Sequence, residues 1–448
     1  AVASARRPGD ALTRGLGLAG SLTRQSFVVA GQPMGRRRSR VTMAANPTRM
    51  VGLPMRVLFV VGNLGDYHVP RYQALLRVAR QRGHEVFLVE VFGKSGVYGF
   101  PQDRRTAFFN THPANCVTLI QHASEGDGHT ARVAAGLLRV CREFAPDVVV
   151  TLGYNTNYSV VLCALKALTR RFMLIYMSDS KADDGKRYAV KERLKRLLVG
   201  RFDAALVAGE KHRAYAASLG IPMERSRIGF DVIDVDYFSG LAREAEATAA
   251  EVRARFTLPP RYVLCVSRFV ARKNIELLIA AFSQSGLQTT NVSLVLVGQG
   301  PCKQPLLDQI DRLGMAKYVV ILSSVPNQQM PGLYALADFV VLASQFDQWG
   351  LCINEAFAAA RPAIVTRTCG VANELVQDGV NGFIVEPADE SALSARMTQL
   401  GNDAALREKF SANALSAVKR WTPTLFASNT IELAESMIKP ASRTQQAA

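Results

Sequence analysis

Residues 346–362 read FDQWGLCINEAFAAARP, and just before them Phe339-Val-Val-Leu-Ala343 is an apolar run of strand length. From Gly350 the chain is alanine-rich with helical spacing, and the pattern stops before Pro362. The stretch therefore reads as strand, turn, helix. Asp347 lies on the turn, and Glu355 lies about one and a half helical turns in from Gly350. A helix starting near Gly350 points its free N–H groups and its dipole at the turn, which attracts an anion such as phosphate. Two carboxylates beside a phosphate repel it unless they bind hydroxyls, so a ligand carrying both groups, such as a sugar nucleotide, fits the mixture. The spacing alone also allows Asp347 to be a helix cap and Glu355 a solvated helix residue.

Upstream the same grammar repeats. Strands are expected at Tyr262–Ser267, Ser293–Val297 and Val319–Leu322, with helices at Ile275–Phe282 and Lys303–Leu313 between them. Before these, charged and alanine-rich Leu241–Phe256, followed by Pro259-Pro260, reads as a linker region. The first half opens with Val57–Gly62 and a glycine turn, Gly62-Asn-Leu-Gly65, then a helix over Tyr72–Arg82 and a strand over Glu85–Val91. Further short apolar strands are expected at 117–120, 147–152, 172–177, 204–208 and 227–230, with helices at 130–144, 159–169 and 191–198 between some of them. Apolar strands separated by amphipathic helices imply parallel sheets covered on both faces, an α/β fold of two Rossmann-like doubly wound domains facing a central cleft. The expected organisation is an extension over 1–50, a first domain over 51–240, a second over 241–420, and a terminal helix and tail over 421–448.

The net charge of +17 invites a nucleic-acid or membrane reading, but residues 1–50 hold nine Arg, no Lys and one Asp, a net of +8, leaving +9 for the rest. No aromatic residues alternate with those arginines for base stacking, so no nucleic-acid partner is expected. The extension has a transit-peptide composition, with a non-functional extension as the alternative, and the expected location is cytoplasmic or organellar. Seven cysteines without a CxxC, three in apolar surroundings, indicate a reducing compartment with neither a zinc site nor a disulfide framework. No apolar run approaches the length of a membrane span.

Arg268 and Lys273 leave the carboxyl end of the strand at 262–267, where α/β sheets bind ligands, and two cations there suit a diphosphate. Gly298 and Gly300 follow the next strand, where missing side chains would let a nucleotide approach the backbone. Basic residues around 186–196 could meet anionic lipid, although a charge run is usually a solvated helix face.

The ordered set SRFVARKN, LVLVGQGP, LYALADFVVLAS, FDQWGLCINEAFAAARP, TRTCGVANELV and DGVNGFIVEPAD resembles the donor half of the retaining, nucleotide-sugar-dependent glycosyltransferases of GT-B family 4. The resemblance runs from about Arg56 to Ile438 and is strongest over 262–400. It implies a GT-B fold and a nucleotide-sugar donor, with no metal or other cofactor required. The family's E-x(7)-E element falls on Asp347 and Glu355: Glu355 would hold the ribose hydroxyls and Asp347 hydroxyls of the transferred sugar. The N–H groups of Gly350 and Leu351 would meet the distal phosphate, Arg268 and Lys273 would neutralise the departing diphosphate, and Gly62 and Gly65 match the loop near donor and acceptor. The terminal helix would cross back to the first domain. The sequence departs from the pattern at three places. Asp347 replaces a Glu, Ala360 stands where glycine is common, and no His lies near Met177-Ser-Asp179-Ser180, where Asp179 is the candidate for the polar role at the reacting centre. The acceptor would be a sugar, lipid-linked or small-molecule hydroxyl. The competing readings are a non-catalytic nucleotide-sugar binder and an epimerase or phosphorylase on the same scaffold.

Overall fold

The computed structural model describes residues 54–94, 102–323 and 325–438, so the Arg-rich extension and the tail 439–448 lie outside the described residues. The first half runs β1 (Arg56–Val61), α1 (Val69–Gln81), β2 (Glu85–Phe92), α2 (Asp103–Thr111), β3 (Cys116–Ile120), α3 (Thr130–Phe144), β4 (Val148–Leu152) and α4 (Asn157–Thr169). It continues with β5 (Met173–Ser178), α5 (Ala189–Val199), β6 (Ala204–Val207), α6 (Glu210–Ser218) and β7 (Ser226–Ile228). Two helices, α7 (Val235–Ala247) and α8 (Ala249–Phe256), lead to β8 (Arg261–Val266), α9 (Ile275–Gln284), β9 (Val292–Val297), α10 (Lys303–Arg312) and β10 (Val319–Leu322). Then come α11 (Met330–Ala335), β11 (Phe339–Leu342), α12 (Leu351–Ala358), β12 (Ala363–Thr366), β13 (Gly382–Val385), α13 (Glu390–Asn402), α14 (Ala404–Val418) and α15 (Pro423–Ile438).

The strands form two all-parallel sheets, ordered β3-β2-β1-β4-β5-β6-β7 and β10-β9-β8-β11-β12-β13. Each order reverses beside its first strand, between β1 and β4 and between β8 and β11. Side chains alternate across each strand, so Val57, Phe59 and Val61 of β1 enter one core while Leu58 and Val60 enter the other. Both faces are covered. That is why these strands read as unbroken apolar runs rather than as an alternation.

One feature differs from the sequence reading and another is explained. The expected linker at 241–256 is helical and packed: Phe238, Ala242 and Ala245 of α7 are buried at helical spacing. Phe238 meets Tyr334 edge-on at 5.6 Å, and Ser239 donates to the carbonyl of Ala358 at 2.7 Å. The boundary at 240 thus falls inside α7, because its small alanines form a close-packing seam that looks like a solvated surface in sequence. Ala360 has a left-handed backbone, φ 54°, just past the C-terminus of α12, with Arg361 N–H returning to the Ala356 carbonyl at 2.8 Å. A glycine is favoured there because it has no Cβ to clash.

The last helix does cross back. Phe426 of α15 packs against Phe59 (5.9 Å) and Tyr72 (6.3 Å) of the first half. Glu432 and Glu435 pair with Arg82, and Asn429 donates to the Ile228 carbonyl beside β7.

Candidate active site

The groups singled out in the second half gather at the carboxyl ends of β8 and β11, the point where its strand order reverses, which is where open α/β sheets bind ligands. The chain leaves β8 through Ser267–Val270 into a tight turn over Ala271–Lys273. There Lys273 Nζ forms an ion pair with Asp347 Oδ2, on the turn after β11. Ser344 Oγ donates to the same oxygen at 3.3 Å, and Arg272 Nη1 lies 3.9 Å from Oδ1. Asp347 is therefore no helix cap. The cap position belongs to Gly350, at φ 112°, where no side chain caps the helix.

The exposed Arg268 guanidinium has no hydrogen-bond or ion-pair partner among the described residues. The N–H groups of Gly350 and Leu351, at the accessible start of α12, likewise meet no acceptor among them. One cation held by a carboxylate and a helix N-terminus thus meet at this turn, and the unpaired Arg268 lies on the loop that leads from β8 to Lys273.

Glu355 lies further along α12. Tyr334 donates to its Oε2 at 2.6 Å, and the Tyr67 hydroxyl, from the first half, lies beside the same carboxylate without completing a hydrogen bond. Burial pushes the Glu355 carboxyl up to about 7, with the tyrosine hydroxyls pulling the other way. Such a group accepts hydrogen bonds from ligand hydroxyls when ionised and donates one when protonated.

Asp179 closes β5 and receives Gln348 Nε2 at 3.2 Å, which places it beside the Asp347 turn. Burial raises its pKa, as do the charges of Asp184 and Asp347. A second carboxyl lies near it that the sequence did not single out as a site residue. Asp231, after β7, has one oxygen 3.7 Å from Arg71 Nη2 and the other buried without a partner. Burial and the Asp179 charge push its pKa up despite Arg71. Arg71 is itself buried and donates to the Val232 carbonyl at 3.2 and 3.3 Å. His68, one turn before it, has an unpartnered Nδ1, and burial holds its pKa down at about 3.

The two halves are also tied directly. His212 Nε2 donates to the Gln348 carbonyl at 2.7 Å while Nδ1 accepts from Gly209 N–H at 3.1 Å, a pattern that requires the neutral ring, and burial lowers its pKa to about 4. Glu374 accepts from the N–H groups of Glu210 and Lys211 and so caps α6 from the other half. Neither contact was legible in sequence, since both partners are more than 130 positions apart.

The glycines divide. A Cβ on Gly298 would lie 1.9 Å from the Ser267 carbonyl oxygen and one on Gly300 2.2 Å from that of Phe269. The closeness these two permit in the structure is between protein loops. At Gly62 the space is taken by the flexible Glu125 side chain, and Gly65 faces open space. All seven cysteines are free. Among the described residues no cluster of three or more His, Cys, Asp or Glu is arranged to hold a metal ion, and no helix is long and apolar enough to cross a membrane.

The two facing parallel sheets with a returning terminal helix define a GT-B fold. Solved structures agree: Anabaena Alr3699/HepE in complex with UDP and glucose superimposes with a TM-score of 0.62 over 85% of this chain and 100% of that one, at 21% identity. Sucrose-phosphate synthase from Thermosynechococcus elongatus gives 0.65 over 86% and 99%, at 17% identity. Residues 250–416 match the family described as glycosyl transferases group 1. The alpha-D-kanosaminyltransferase of Streptomyces kanamyceticus is 31% identical over 172 residues, 38% of this chain and 44% of the relative. The GDP-mannose-dependent alpha-(1-6)-phosphatidylinositol monomannoside mannosyltransferase of Mycolicibacterium smegmatis is 31% identical over 176 residues, 38% and 45%. These matches span somewhat under half the length of either relative.

Proposed function

We propose that this protein is a retaining glycosyltransferase that moves a hexosyl unit from a nucleoside-diphosphate sugar to an acceptor hydroxyl. The observation that carries the reading is the arrangement at one strand-order reversal of Arg268, the Lys273–Asp347 pair, the N-terminus of α12 and Glu355. Glu355 receives the ribose hydroxyls, Asp347 those of the transferred sugar, and the Gly350 and Leu351 N–H groups the distal phosphate. When the bond from the anomeric carbon to the phosphate oxygen breaks, its electron pair stays on the phosphate. Arg268, Lys273 and the helix N-terminus stabilise that growing charge more in the transition state than in the bound donor. The acceptor oxygen then attacks on the face the diphosphate leaves and passes its proton to the departing phosphate, with Asp179 as the polar group nearest that face. The charge stabilisation uses side chains and backbone of this chain, the proton acceptor is the departing phosphate, and no metal ion is invoked. A nucleotide-sugar donor is supported by the relatives, one named GDP-mannose-dependent, and by the fold neighbour bound to UDP and glucose.

The test is a panel of UDP-, GDP- and ADP-sugars read by thermal stabilisation, followed by nucleoside diphosphate release with the best binder, with and without EDTA. One donor is expected to stabilise the protein and be consumed, with EDTA inert and Arg268→Ala and Glu355→Gln each lowering consumption. Binding without consumption, whatever acceptor extract is added, would make the protein a nucleotide-sugar binder. A released product isomeric with the donor sugar would make it an epimerase. Stabilisation by none of the sugars would remove the donor site itself.

A further inference from the structure

The outer surface of the first half carries an apolar face that none of the described residues covers. Among the described residues, six of the ten exposed large hydrophobic side chains lie on α4, on α5 or at Tyr188 just before α5. The two helices cover the same face of the sheet: Leu162 of α4 and Val199 of α5 enter the same core, and Lys166 Nζ of α4 bonds the carbonyl of Arg201, just after α5, at 2.8 Å. Opposite those buried residues, α4 presents Val160, Ala164 and Leu168 at i, i+4 and i+8, and α5 presents Val190, Leu194 and Leu197 at i, i+4 and i+7. This is helical amphipathicity turned outward, since Leu168 is 82% and Val190 83% exposed.

The rim of this face is basic. Arg170 and Arg171 end α4, and Lys191 and Arg193 flank the stripe on α5, all exposed. Residues 186–201 hold seven Lys and Arg against a single acid, Glu192, for a net of +6. That acid faces inward, bonded to Lys195 and the Tyr215 hydroxyl at 2.7 Å each. The exposed side chains named on the two helices are thus apolar or positive, and the nearest carboxylates, Asp203 and Glu192, are each paired with a lysine.

We propose that the outer face of α4 and α5 docks the protein on an anionic lipid bilayer. An interfacial helix of this kind sinks its leucines and valines to the acyl boundary while Lys and Arg meet the headgroups. A second copy of the chain fits worse, because a two-fold contact through this face brings two basic rims together. The loop that enters α5 carries Asp179 at its start and lays Gly185 against the Phe346 ring, next to Asp347. The same segment thus reaches from the bilayer face to the candidate site, which makes a lipid-anchored hydroxyl the acceptor. That corollary rests on the transferase reading. Docking does not, and it is measured without turnover.

The experiment is flotation of the full chain with phosphatidylcholine vesicles with and without phosphatidylglycerol, together with a local probe. Binding is expected with phosphatidylglycerol and to weaken with salt, and Leu194→Glu with Leu197→Glu should lower it roughly tenfold or more at an unchanged melting temperature. Because residues 1–50 bring nine arginines of their own, the local probe decides. Trp349 and Trp421 are buried, so in Leu194→Trp quenching by brominated lipid reports on α5. Vesicle binding unaffected by the double substitution, or an introduced indole that brominated lipid does not quench, would overturn the proposal. So would a dimer, seen by sedimentation, that the double substitution dissociates.

Discussion

The two sheets reverse their strand order in the same way, yet the polar groups at their carboxyl ends are treated differently. In the second half they are mostly paired: Asp347 with Lys273, Ser344 and Arg272, and Glu355 with Tyr334. In the first half the Asp231 Oδ2, His68 Nδ1 and Tyr67 hydroxyl are buried without hydrogen-bond partners. Unpaired buried polar groups cost free energy, and in the first sheet three of them follow strand ends, whereas in the second the carboxylates at the reversal point are paired and Asn354 Nδ2 of α12 is the nearby exception. Under the proposed function, a paired constellation that holds one geometry suits the donor, and unpaired groups suit hydroxyls supplied by an acceptor.

The comparison can be broken most forcefully at the helix that joins the halves. Phe426→Ala leaves a hole between α15, Phe59 and Tyr72 and should cost about 3–5 kcal/mol in denaturant unfolding. A cost near zero would mean that α15 does not hold the first core. Arg268→Ala removes an exposed, unpartnered cation, so unfolding should be unchanged while donor turnover falls about 10²–10³-fold, as for loss of one preorganised charge-stabilising group. Equal losses of stability and turnover would contradict the separation. His212→Ala leaves the Gln348 carbonyl without its donor and should cost about 1–3 kcal/mol in the same unfolding assay.

Each half contributes a buried carboxyl to the pH dependence of stability. Glu355 and Asp231 have carboxyl pKa values raised by burial, so the native state holds more protons than the unfolded chain between the ordinary carboxylate range and the raised values. Their stabilising contribution is complete below the unfolded pKa and is lost as pH rises through the folded one. For Glu355 that window closes near 7. Melting temperature should therefore fall as pH climbs from about 5 to 7. Glu355→Gln should reduce the slope there, and Asp231→Asn should reduce it further at the alkaline side. An unchanged profile in both variants would contradict the assignment. The smallest effect is Ala360→Gly, which relieves the left-handed backbone and should stabilise by about 0.5–1 kcal/mol, read as a shift of the unfolding midpoint.

Period and punctuation carry most of the architecture. Strand β10 lies where its apolar run placed it, and α3 begins and ends at the expected residues. These elements are decided locally, by apolar runs bounded by Gly, Pro and polar turns. The Arg268, Lys273, Asp347 and Glu355 positions were likewise readable, because each sits at a fixed offset from a strand end. Strands β12 and β13 and helix α6 were not read as elements, being short and without clear periodicity. Arg71, His68 and Tyr67 were also missed, since a lone polar residue near a strand end has no pattern of its own, and Asp231, in a segment that resembles the family's, was given no site role.

Sequence by itself determined the repeated strand-helix units, the two sheets and the residues at the second reversal point, since backbone periodicity and strand-end chemistry are local properties. Tertiary structure alone decided that Tyr67 reaches Glu355, that His212 bonds the Gln348 carbonyl, that α7 is packed rather than a linker, and that the stripes of α4 and α5 face outward. Each of these depends on which residues far apart in the chain meet, or fail to meet, once the sheets are covered. An apolar stripe at helical spacing reads the same whether it turns to the core or to solvent.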